Sequence, residues 1–405
     1  MARVALALTL ALFALHSPAV QADSPDPIIH VGLTKNFANA SRITVRSDGK
    51  LTLKDKLSGR VLGVVTGSPV SLISSRSAVS YSADGIASGS VSSIDILPEE
   101  DGTLEISRRS TSGSWSKYRG ALTALATGSG LTVINNIGVE EYIYGVVVAE
   151  IGSSAPAEAV KAQAVAARTY ALKNRGRFRA YGFDVDDTTR CQGYSGLDGE
   201  TTATNAAVDA TRGEVVTYQG ELIEASYSTD SGGVTACDTS GKCPYLQSVI
   251  DSPGPGLPDY AAATASHEWD YILPFRELET QLNKDPRTRV SHFVCLTLDG
   301  ADASGRITTA TISDMDGTMK TVPGSVLRQV LGYGQLKSTL VSLTVRSGGE
   351  YFFHGKGSGH GLGMSQVGAI AMASEPYNHN YHEILEHYYA GTQCQPIPPT
   401  ELVKN

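Results

Sequence analysis

The sequence predicts an α+β protein: a β-rich N-terminal part, an alanine-rich helix and a mixed α/β catalytic core. Short β-branched runs broken by Gly, Ser and Asn fill Ile28 to about Ile137, as in Ile43-Thr44-Val45, Val61-Leu62-Gly63-Val64-Val65 and Leu131-Thr132-Val133-Ile134. That is the pattern of strands punctuated by turns. Seven alanines lie between Ala157 and Ala171, giving high helix propensity and allowing close backbone approach. Beyond them helix and strand signals alternate.

The chain begins with Arg3, an apolar run from Val4 to Leu15 and Val20-Gln21-Ala22 before Asp23, the layout of a cleavable secretory signal. The run is shorter than the ~20 apolar residues a spanning helix needs. Residues 1–22 are therefore expected to be removed and the protein exported to the periplasm or cell envelope, an uncleaved anchor being the alternative. Residues 23–137 form the β-rich part, 138–393 the core and 394–405 a tail.

Within the core, Glu141 to Ile151 reads as an apolar strand that ends in the carboxylate of Glu150. Ser153-Ser154-Ala155-Pro156-Ala157-Glu158 then starts a helix, with proline near the first turn and an acid just inside. That helix should run to about Asn174, stopped by Gly176. A second is expected over Thr201–Thr211, then a hairpin in which Gln219-Gly220 turns Glu214–Tyr218 back into Glu221–Tyr227. Pro253-Gly254-Pro255-Gly256-Leu257-Pro258 can sustain neither helix nor paired strand and reads as a loop. Strands resume after Ser291, and Ser365–Ala373 and Tyr381–Tyr389 look helical, with Gly391 as terminator.

The formal charge of −8 becomes −9 once Arg3 is lost, so the surface offers no footprint for nucleic acid. Any polyanion site must be local. Arg175, Arg177 and Arg179 around Phe178 are one such place, or simply a solvated helix end. Five cysteines leave at least one without an intramolecular partner. Cys237 and Cys243 bracket a loop short enough for one bridge, although spacing alone does not fix the separation a disulfide requires.

Glu150 is the chemically suggestive residue. Partial burial among Val148, Ile151 and the alanine helix would raise its pKa, as suits a proton donor. Proximity to a helix start would instead stabilise the anion and lower it.

Four segments together resemble the stage II sporulation protein D and amidase-enhancer family. They are Glu141–Glu150 with the alanine helix Ala159–Ala171, Asp187–Tyr194, Ala225–Gly233, and Gly359-His360-Gly361-Leu362-Gly363-Met364-Ser365-Gln366-Val367-Gly368-Ala369. The resemblance spans roughly residues 28–393, with the segments in family order. It implies a peptidoglycan lytic transglycosylase acting on glycan that lacks stem peptides, or else a noncatalytic glycan-binding protein or amidase enhancer. Glu150 matches the catalytic glutamate. Such chemistry needs one carboxyl group, which protonates the leaving oxygen and then accepts the proton of the sugar's own C6 hydroxyl, so no paired carboxylate is required. Gln192 and Tyr194 in the second segment become candidates for substrate contact.

The sequence departs from the family in two places. Zinc-binding members carry cysteine and histidine around the second segment, whereas Asp186 and Arg190 stand near Cys191 here. Four soft or imidazole ligands cannot be assembled, so no metal or other cofactor is expected, unless Cys237 or Cys243 folds back toward Cys191. Ser228 occupies a position where members often carry histidine.

Asp230-Ser231-Gly232-Gly233 imitates the nucleophile segment of trypsin-like proteases but lacks a companion histidine motif upstream. Ser231 and Gly232 are better candidates for a turn whose free N–H groups bind a sugar, or for a turn alone. Gly357, Gly359, Gly361 and Gly363 alternate, which fits neither a dinucleotide nor a phosphate loop. On a strand they would permit close backbone approach, leaving His360, Ser365 and Gln366 to hydrogen-bond sugar hydroxyls; a packing turn is the plainer alternative. Arg168 is a candidate for orienting Glu150 or a lactyl carboxylate, or for a structural salt bridge. The expected partners are glycan strands and, in the noncatalytic reading, a cell-wall amidase.

Overall fold

The structure, a computed structural model, describes residues 26–99, 102–108 and 114–402. The expected signal segment, residues 1–22, lies outside the described residues.

The β-rich part is two sheets sharing one core. The first has seven strands, in the order Val185–Asp186, Ile28–Gly32, Gly130–Gly138, Ala121–Thr127, Ser93–Pro98, Lys50–Asp55 and Val61–Thr66. The second has six: Ser116–Tyr118, Leu104–Ser107, Arg42–Arg46, Val70–Ser75, Ala78–Ser82 and Gly89–Val91. Alternate side chains such as Leu51 and Leu53, Ile94 and Ile96, and Leu122 and Ala124 are buried between them, as expected for sheets that each turn one face inward. The edge strand Val185–Asp186 pairs parallel to Ile28–Gly32, matching Val31 with Val185, and so ties the β-rich part to the core.

Strand Gly130–Gly138 runs directly into a helix, Val139–Ile151. This corrects the expected strand. Glu140 and Glu141 occupy the first turn, Gly152 at φ +83° ends the helix, and Tyr142, Ile143, Val146 and Val147 are all buried. Acids near the N-terminus favour a helix, and burial of one face outweighs the weaker helix propensity of the valine run.

The alanine helix runs from Ala157 to Lys173, close to its expected span. One face places Val160, Ala164, Ala167 and Ala171 in the core of the β-rich part. Another places Ala159, Ala162 and Ala166 in a second core with Val216, Ile223, Met364, Ala369 and Tyr388. A helix buried on both faces needs side chains small enough to let neighbours close in. Alanine meets that need.

Thr202–Asp209 forms the next expected helix, capped by Thr201. The hairpin follows, its return strand shortened to Glu221–Leu222, with Gln219 and Gly220 both at positive φ, as the tightest two-residue turn requires. Residues assigned from sequence to the C-terminal tail also enter this sheet, where Cys394 pairs with Val216.

Residues 268–356 gather around a third core of their own. It is built from sheets Glu268–Pro274/Glu350–Lys356/Val341–Arg346 and Phe293–Ala301/Ile307–Asp314/Met319–Pro323, with helices Phe275–Leu282 and Gly324–Leu331. Strand Glu268–Pro274 and helix Phe275–Leu282 precede the point at which strands were expected to resume. Helices Gln366–Met372 and Tyr381–Tyr388 pack into the second core through Ala369, Met372, Ile384, Leu385 and Tyr388. Among the described residues no helix is long and apolar enough to cross a membrane.

Candidate active site

Glu150 occupies the penultimate position of helix Val139–Ile151 and is half-buried. Its Oε1 accepts the backbone N–H of Gly193 at 2.5 Å, and its Oε2 accepts Nε2 of Gln366 at 3.2 Å. Burial raises the Glu150 pKa above the ordinary carboxylate value, and the bonds from Gly193 and Gln366 only partly oppose it. Position adds to the effect, because the carbonyls at the C-terminal end of a helix disfavour an anion. The helix end beside Glu150 thus has the polarity opposite to that considered in the sequence alternative.

Gln366 is 5% exposed and opens helix Gln366–Met372. Its Nε2 lies 3.4 Å from Oε1 of the fully buried Gln163 on the alanine helix, whose own Nε2 has no partner among the described residues. Tyr142 and Tyr227 complete the wall: Gln192 receives the Tyr142 hydroxyl at 3.2 Å and donates to the Tyr227 hydroxyl at 2.8 Å. Three of the four sequence segments therefore converge on one carboxyl group.

The other candidates make no direct contact with the Glu150 carboxyl. Arg168 does not reach Glu150. Fully buried, it grips Glu140 through Nε at 2.9 Å and Nη2 at 2.6 Å, and donates Nη1 to the Glu214 carbonyl at 3.0 Å. It is the structural salt bridge. Gln192 is buried in the network just described and contributes to the site through the backbone of Gly193 beside it. Tyr194 is also core, its hydroxyl bound to Asn135 Oδ1 at 2.8 Å and its ring 5.0 Å from that of Tyr142.

Ser231 is 1% exposed and donates to Asp251 Oδ2 at 2.5 Å, while Tyr388 donates to Asp251 Oδ1 at 2.6 Å. Gly232, at φ +73°, gives its N–H to Asp230 Oδ1 at 2.8 Å. These groups have no hydrogen left for a sugar, which corrects the expectation of a binding turn. Nor do the described residues form a protease triad: buried His267 lies between Asp230 at 3.0 Å and Asp259 at 3.3 Å.

Ser365 is fully buried and caps helix Gln366–Met372, its Oγ accepting from Gly368 at 3.2 Å and from Ser231 at 3.3 Å. It is a packing residue rather than a sugar contact. The four glycines do not lie on a strand. Gly357, Gly359, Gly361 and Gly363 take φ values of +72°, +116°, +79° and +68°, so they form a coiled loop that side chains would strain. His360 is exposed and accepts the Leu362 N–H on Nδ1 at 3.0 Å. Desolvation, then the Arg328 and Arg306 guanidiniums, hold its pKa below the ordinary imidazole value.

The surroundings of Cys191 do not fit a zinc ligand set. The Asp186 carboxylate is taken by Thr188 and Arg190, and burial raises the Cys191 thiol pKa, against the thiolate a metal needs. Cys237 and Cys243 are unbridged, and Ser228 Oγ is buried without a partner among the described residues.

Sequence reasoning passed over the Gly193 N–H and Gln163. A signal for Gln163 exists: an amide on an otherwise apolar, buried helix stripe must find a polar partner.

The site is thus a half-buried carboxyl group, held by one peptide N–H and one side-chain amide where a helix ends in an α+β core. Comparison with known proteins gives the family. The profile described as Stage II sporulation protein matches residues 127–218. Stage II sporulation protein D of Bacillus subtilis is 32% identical over 283 residues, covering 64% of this chain and 75% of that protein. An uncharacterized protein of Brachyspira hyodysenteriae is 33% identical over 283 residues, covering 68% of this chain and 71% of its own length. The Amidase enhancer of Bacillus subtilis is 31% identical over 297 residues, covering 61% of this chain but 39% of the enhancer. The chain belongs to the stage II sporulation protein D family.

Proposed function

We propose that this chain is an exported cell-envelope lytic transglycosylase that cleaves peptidoglycan glycan strands lacking stem peptides. The supporting observation is the Glu150 carboxyl, half-buried and raised in pKa, yet steadied by two donors. In its neutral form it protonates the oxygen of the scissile glycosidic bond, and the bond breaks. The resulting carboxylate takes the proton of the muramic C6 hydroxyl as that oxygen closes on C1, giving a 1,6-anhydro end. The proton returns to Glu150, so one carboxyl suffices and no water is consumed. The Gly193 and Gln366 donors support the anionic stage, and surrounding protein favours the neutral one. The reaction as written uses no metal.

A second reading is supported by the relative named Amidase enhancer: the chain binds glycan or a cell-wall amidase and cuts nothing itself. Digestion of denuded glycan with the purified protein, followed by mass spectrometry, separates the two. New anhydro-muramyl ends support the transglycosylase. Intact strands together with faster turnover by an added amidase support the enhancer.

A further inference from the structure

A concavity is lined in part by Thr188 and Arg190, which precede Gly193 in the segment that bonds Glu150. A cleft of about 500 Å³ is lined by Phe37, Val133, Tyr181, Phe183, Thr188 and Arg190, among others. Its wall is aromatic. Phe183 is buried, Tyr181 is 66% exposed, their rings stack with centroids 6.1 Å apart, and Phe178 lies 5.4 Å from Phe183.

Arginines crowd the same place in a protein whose net charge is −8. The Arg190 guanidinium sits 4.5 Å from the centre of the Phe178 ring, with Arg177 at 5.5 Å from that ring. Arg190 grips the buried Asp186 through Nε at 2.5 Å and also through Nη2, yet 58% of its side chain remains exposed. It is thus held in place with its Nη1 uncommitted among the described residues. Arg179, on the same short turn as Tyr181, is also exposed. A planar cation fixed beside an aromatic wall suits a ligand that pairs a carboxylate with flat apolar faces.

We propose that this cleft is an accessory subsite for the acidic sugars of denuded glycan, Arg190 binding a lactyl carboxylate and Tyr181 stacking on a sugar ring. The proposal rests on the glycan reading of the Glu150 site. Its chemistry is direct: a stem peptide caps the lactyl group as an amide, so removing it uncovers one carboxylate on every muramic residue. The neutral chitin backbone has none. Arg190 is three residues from Gly193, at most roughly 10 Å along an extended chain, so one strand can span both places.

The test is calorimetric binding to the Glu150→Gln protein, which separates binding from turnover, with denuded glycan and chitin oligosaccharides of equal length as probes. Denuded glycan is expected to bind more tightly, with an affinity that falls as salt rises. Arg190→Gln, which keeps a donor for Asp186, should weaken denuded glycan by ~10-fold or more, the scale of one charged hydrogen bond, and leave chitin unchanged. Tyr181→Ala should weaken both probes. Should Arg190→Gln not fold, Arg179→Glu on the exposed turn serves as the charge variant, with the same expected selectivity. Parent-like affinity of these variants for denuded glycan overturns the subsite even if the parent enzyme makes anhydro ends. Failure of denuded glycan to bind the protein at all overturns the glycan reading as well.

Discussion

Glu150 and Gln366 stand 216 positions apart in the chain, and their side chains meet at 3.2 Å. The contact joins the end of helix Val139–Ile151 to the start of helix Gln366–Met372 and brings the C-terminal end of the glycine loop to the Glu150 carboxyl group.

Because Gln366 donates to Glu150, it favours the carboxylate and lowers the pKa from where burial alone would set it. Replacing Gln366 by Leu removes that donor. The limb of the pH–rate profile along which activity declines with rising pH, as the acid is lost, is then expected to move to higher pH. An unmoved limb would separate Gln366 from proton transfer.

Stability gives an independent reading of the same group. Glu150 has a folded-state pKa raised above its unfolded value, so the folded protein binds more protons between the two. Stability therefore declines as pH rises through that window. The neutral mimic Glu150→Gln should raise Tm relative to the parent at pH 7, and the difference should vanish below the ordinary carboxylate range. Equal Tm at both pH values would mean that the carboxyl is not held in a desolvated setting.

Arg168 and Glu140 make a buried bidentate pair. Arg168→Met should cost about 3–5 kcal/mol in denaturant unfolding by stranding Glu140, while the double replacement with Glu140→Leu should recover much of the loss. If Arg168→Met instead abolished activity in a fully stable protein, Arg168 would belong to the site after all.

At Gly363 an added Cβ would lie 2.0 Å from the Ser226 carbonyl oxygen, on a residue whose φ is +68°. Gly363→Ala is expected to lower stability by at least ~1–3 kcal/mol from backbone strain alone. A thermal melt superimposable on the parent's would remove the packing argument for the glycine loop.

The sequence disclosed local matters well and distant ones poorly. The alanine helix, the Gln219-Gly220 turn and the capped helices follow from propensity and turn chemistry. Val146-Val147-Val148 suggested a strand, and the fold made a helix of it because Tyr142, Ile143, Val146 and Val147 share a buried face. The motif singled out Glu150, but not the Gly193 and Gln366 donors that hold it. That Arg168 serves Glu140, or that Ser231 serves Asp251, was not legible, because each pairing joins separate segments whose meeting only tertiary packing decides. The separate core of residues 268–356 was hidden for the same reason.

Whether Glu150 performs the chemistry is decided by the rate at which anhydro-muramyl ends appear when denuded glycan is incubated with parent and Glu150→Gln proteins. The parent should form them, and the variant should be slower by ~10²–10⁴-fold while binding the strand equally well. Equal rates for the two proteins would contradict the assignment of Glu150 as the acid/base group.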